Sequence, residues 1–73
     1  MFKIKIKFND ASEAYVTWYE VDGQLCSAGY GEVTKALAFD PVKDRDTLRA
    51  IGREVASPNI RDELYPIGME LVK

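Results

Sequence analysis

The first eight residues constrain the fold most. Phe2-Lys3-Ile4-Lys5-Ile6-Lys7-Phe8 alternates apolar and cationic side chains without a break. A strand turns successive side chains to opposite faces, so Phe2, Ile4, Ile6 and Phe8 line one face and the three lysines the other. A helix would scatter both sets around its circumference. The segment therefore reads as a strand covered on one side only, in an antiparallel or mixed sheet. Because it starts at residue 2, no targeting leader is expected.

Residues 9–30 read as a loop and a hairpin. Residues 9–13 are turn formers, and 14–21 are rich in aromatic and β-branched residues, as strands are. Asp22-Gly23 then predicts a two-residue turn, since a type I′ turn needs positive φ at both central positions. The next strand runs from Gln24 to about Tyr30. With that loop, Val21 faces Gln24, Tyr19 faces Cys26, Thr17 faces Ala28 and Tyr15 faces Tyr30. The opposite face pairs Trp18 with Ser27 and Val16 with Gly29. Large side chains opposite small ones suit a packed helix, so Val16, Trp18 and Leu25 are expected in the core. Tyr15, Tyr19 and Tyr30 are then expected on the open face beside the lysines; the reverse assignment would put Tyr15, Tyr19 and Cys26 inside and leave Trp18 exposed.

Gly29-x-Gly31 lacks the further residues of a phosphate loop and reads as a bend or bulge. Val33 to Phe39 alternates again and predicts a fourth strand, stopped by Asp40-Pro41. Residues 44–57 predict the main helix, with Leu48, Ile51, Gly52 and Val55 as its apolar stripe and Asp44 or Asp46 as its cap. Gly52 within that stripe predicts close approach to the sheet. Ser57-Pro58 predicts a second, short helix through Leu64 that turns Ile60 and Leu64 inward. Ile67, Met69 and Leu71 alternate in a last strand that pairs with the first. The fold class is thus α+β: one domain of 73 residues in β-β-β-β-α-β order, with an antiparallel-dominated sheet of four to five strands and one main helix packed on one face.

Composition narrows the function. The chain has one cysteine and no histidine, so no internal disulfide and no ordinary zinc site is expected. Cys26 reads as a small buried hydrophobe rather than an activated nucleophile. No cofactor and no enzymatic activity are expected. The net charge of −2 differs from the strongly basic balance of dedicated nucleic-acid binders. No apolar run approaches the ~20 residues of a spanning helix, and an unpaired thiol fits the cytoplasm. A core this small invites self-association, a homodimer being as expected as a monomer.

Three groups of side chains stand out as partner-binding candidates. Lys3, Lys5 and Lys7 form a cationic row. Tyr15, Tyr19 and Tyr30 are aromatics of the kind that anchor protein interfaces or stack bases. Arg45, Arg49 and Arg53 recur every four residues on one helix flank, suited to bidentate grip of carboxylate or phosphate. The expected function is that of a small cytoplasmic, non-enzymatic protein-binding or regulatory protein, of the style of a phage- or mobile-element-encoded inhibitor of a host complex. A nucleic-acid module using the Lys/Tyr face is the alternative.

Overall fold

The computed structural model describes residues 1–23, 25–57 and 61–73. Strands β1 (Lys3–Phe8), β2 (Glu13–Asp22), β3 (Leu25–Gly31) and β4 (Pro66–Val72) form one sheet in the order β3-β2-β1-β4. Every neighbouring pair is antiparallel. The main helix α1 (Arg45–Ala56) crosses one face and touches both outer strands, β3 and β4. This is the α+β architecture that the sequence predicts.

The alternation of β1 sets the layers. Ile4 and Ile6 are fully buried and Phe8 nearly so, while Lys7 is exposed on the other face. From the helix, Ala50, Ile51 and Val55 close over them, with Leu48 partly buried at the margin. Of the expected stripe, Ile51 and Val55 are deep, whereas Gly52 is only half-buried. A Cβ built on Gly52 meets nothing nearer than the Met69 methyl, at 3.8 Å, which is ordinary contact. Close approach to the sheet is therefore not what places glycine there.

The helix start is built from two aspartates. Asp44 is the N-cap residue, but its carboxylate turns back and accepts from the Asp40 amide at 2.7 Å instead of capping α1. The Asp44 amide in turn donates to the Asp40 carbonyl at 2.9 Å. Asp40 Oδ1 accepts from the amides of Val42 and Lys43, and these hydrogen bonds hold its carboxyl below the usual range.

Between β3 and α1 the chain departs from expectation. Val33–Lys35 is a single 3-10 turn, and the residues after it form no ladder strand. The Leu37 amide donates to the Val16 carbonyl at 3.0 Å, and Phe39 exchanges both backbone hydrogen bonds with Phe2. β1 and β2 pair only from Lys5/Tyr15 to Lys7/Glu13. Beyond Lys5 the two strands part, and 37–39 wedges between them, with Phe39 buried at 2% exposure. The alternation of 33–39 thus serves one buried aromatic plug rather than a full strand.

Where β2 meets this wedge it carries a bulge between Val16 and Trp18. A bulge adds one residue and so reverses which parity faces the core. Ala14 and Val16 face inward before it, Tyr19 and Val21 after it. The hairpin turn also lies one residue later than expected: Asp22 joins the ladder opposite Leu25, and Gly23 takes a φ of +61°. The bulge corrects the face assignment, while the later turn only moves each pairing past the bulge two residues along β3. Trp18 and Leu25, expected in the core, are 51% and 74% exposed, while Tyr19 and Tyr30, expected on the open face, pack against the core. Tyr19 stacks obliquely on Phe39 at 5.8 Å, and Tyr30 meets Phe8 edge-on at 5.2 Å. Val16 is buried and Tyr15 is on the open face, both as expected.

The expected second helix falls partly on residues 58–60, outside the described residues, and Ile60 with it. Residues 61–64 are turn and bend, and Leu64 is 50% exposed rather than turned inward. Asn9 ties this segment to the first loop. Its amide donates to the Tyr65 carbonyl, its Nδ2 to the Glu63 carbonyl, and its Oδ1 accepts from the Tyr65 amide. β4 then pairs with β1 along its whole length, as expected.

Candidate functional site: the open sheet face

The face of the sheet away from α1 carries four of the nine candidate residues, Lys3, Lys5, Lys7 and Tyr15. On β1 it presents Lys3, Lys5 and Lys7, on β2 Glu13, Tyr15, Trp18, Glu20 and Asp22, and on β4 Glu70. β3 contributes Leu25 and Ser27, then Gly29 and Gly31, which have no side chain. Trp18 lies along this bare stretch. A Cβ on Gly29 would be 3.5 Å from the indole, and one on Gly31 only 3.2 Å from Thr17 Cγ2. The two glycines make the shelf on which Thr17 and Trp18 rest.

The lysine row is not a free cationic stripe. Lys5 Nζ lies 3.2 Å from Glu13 and 3.3 Å from Glu70, bridging three strands, and hydrogen bonds to the two carboxylates raise its pKa. Lys3 Nζ donates to the Val33 carbonyl at 3.4 Å. Counting side chains on this face, three cations meet four anions. The result is a mixed-charge rim around Trp18 and the half-buried Tyr15, with Leu25 set apart from them by the Glu20/Ser27 pair.

Arg45, Arg49 and Arg53 are exposed on α1, on the opposite side of the molecule. The structure therefore brings Tyr15 and the lysines together, separates the arginines from them, and withdraws Tyr19 and Tyr30 inward. Trp18 and Leu25 are the members of this face that sequence reasoning misses. One signal for them exists: Gly29 and Gly31 alternate around Tyr30, so both glycines share a face, and the inward residue between them is the tyrosine.

A cleft of about 480 Å³ opens on the helix side, walled by Phe8, Tyr30, Leu64 and Tyr65, with Glu54 and Asp62 at its margin. Burial pushes the Tyr30 hydroxyl up from its ordinary pKa, and the Glu54 carboxylate adds to the shift. Cys26, 9% exposed, is likewise raised by burial and by Glu54, against a smaller opposing effect of Arg53. No helix among the described residues is long and apolar enough to cross a membrane. Comparison of the chain with protein-family models, with curated proteins and with solved structures finds no match.

Proposed function

We propose that this is a small, non-enzymatic cytoplasmic protein that works by docking its open sheet face on another protein. The observation that carries the reading is Trp18, half exposed on a flat glycine shelf that Tyr15 shares, with Leu25 exposed further along the same face opposite Asp22. Tryptophan and tyrosine at the centre of a patch, ringed by charges of both signs, have the composition of an interface hot spot with its polar rim. The balanced rim favours a protein partner over nucleic acid, whose backbone is held by uncompensated cations. A lone, buried thiol suits a reducing compartment.

The test is capture from cells that make the protein, comparing wild type with Trp18→Ala, Leu25→Ser and, on the far side, Arg49→Ala. The reading predicts that the first two lose the partner while remaining folded by circular dichroism, and that the third keeps it. Equal capture by all four overturns it.

A further inference from the structure

The sheet ends at two edges, and only one is guarded. β4 begins with Pro66, carries an irregularity opposite Lys7 and Phe8, and bears Glu70. Proline, bulges and charges are the usual means of preventing an edge from pairing with another strand. β3, Leu-Cys-Ser-Ala-Gly-Tyr-Gly, has none of them: no charge, no proline, and the hairpin's bulge lies on β2. Among the described residues, no backbone hydrogen bond other than the ladder to β2 reaches β3. Among the described residues, one side of its backbone is therefore unpaired along the seven-residue strand.

We infer that β3 pairs antiparallel with β3 of a second copy, about a two-fold axis through Ala28. This register uses all seven residues, and it is complementary in size. On the helix side Tyr30 stands opposite the partner copy's small Cys26. On the open side Leu25 stands opposite a glycine, Gly31, and Ser27 opposite Gly29. A symmetric pairing of this kind is isologous and closes after two copies. It continues the sheet to eight strands, keeps both helices on one face and joins the two Trp18 patches on the other. An extended peptide of a different protein is the competing occupant. The second copy is favoured because the strand complements itself residue by residue. This pairing does not depend on the docking of the open face on another protein.

The experiment is mass measurement of the unmodified chain over a wide concentration range, with amide exchange of 25–31 followed in parallel. The expected result is a concentration-dependent rise to twice the 8.2 kDa chain mass, with exchange across 25–31 slowing as the dimer forms. A nitroxide on Leu25→Cys, in a Cys26→Ala background, fixes the geometry. At ~3.4 Å per residue and ~4.8 Å between strands, the two labelled Cα atoms lie about 21 Å apart in the β3–β3 dimer. Pairing through β4 would put them about 34 Å apart or more, across seven strand spacings. A chain that stays monomeric, a dimer with the longer separation, or protection of β3 only by a foreign peptide overturns the inference.

Discussion

Replacing Gly52 by alanine separates two accounts of the helix. Gly52 sits on the expected apolar stripe, so from periodicity alone a larger residue should collide with the sheet and destabilise the fold. The geometry predicts the opposite. Gly52 is the eighth residue of a twelve-residue helix, is half-buried, and faces only the end of the flexible Met69 side chain at 3.8 Å. Alanine then removes the helix penalty of glycine, about 0.5–1 kcal/mol, without forcing any neighbour aside. For a domain of this size the unfolding entropy converts that gain to a rise of about 3–6 °C in Tm. Thermal unfolding followed by far-ultraviolet circular dichroism reads it directly. Gly31→Ala is the contrasting control, since its Cβ lies 3.2 Å from the β-branched Thr17 and requires that side chain to shift. An unchanged or lowered Tm for Gly52→Ala would mean that the helix packs closer to β4 than the 3.8 Å contact with Met69 allows.

Tyr19→Ala empties a site against Phe39 and should cost about 2–4 kcal/mol, whereas Trp18→Ala should cost about 1 kcal/mol or less; urea unfolding of both variants checks the order. Asp40 has its folded pKa depressed by the Lys43 and Val42 amides, so its contribution is present above the ordinary aspartate pKa and is lost as pH falls through the folded value. Tm measured between neutral and strongly acid pH should therefore drop on the acid side, and by less in Asp40→Asn. Cys26, buried and with a raised pKa, should react with a thiol reagent only as fast as the fold opens, and denaturant should make the reaction immediate.

The parts of the fold written in local pattern are legible: the alternating first strand, the periodic helix and the alternating last strand each come from the spacing of their own residues. The hairpin is legible as a hairpin, yet its faces are not. Which parity of β2 points inward depends on the bulge near Thr17, and that bulge coincides with the insertion of 37–39 between β1 and β2. No local pattern announces a contact made some twenty residues away. Unbroken alternation therefore sends Tyr19 and Tyr30 to solvent and Trp18 and Leu25 to the core, the reverse of what long-range packing imposes. Residues 33–39 mislead for a related reason. Their alternation is real, but only Phe39 is deeply buried, and a tertiary wedge, not a ladder, uses it. The lysine row is legible as a row; that Glu13 and Glu70 neutralise Lys5 depends on strand order, which the sequence does not encode locally.

The hairpin presents Trp18 outward, on the face proposed to dock. The chain has one tryptophan, so its fluorescence reports that side chain alone. Quenching of native-state emission by iodide, compared with the urea-unfolded chain, measures the exposure directly. An outward Trp18 gives red-shifted native emission that iodide quenches, less strongly than in the unfolded chain, in line with 51% exposure. Blue-shifted emission that iodide does not touch would place Trp18 in the core and contradict both the register of the hairpin and the face assigned to function.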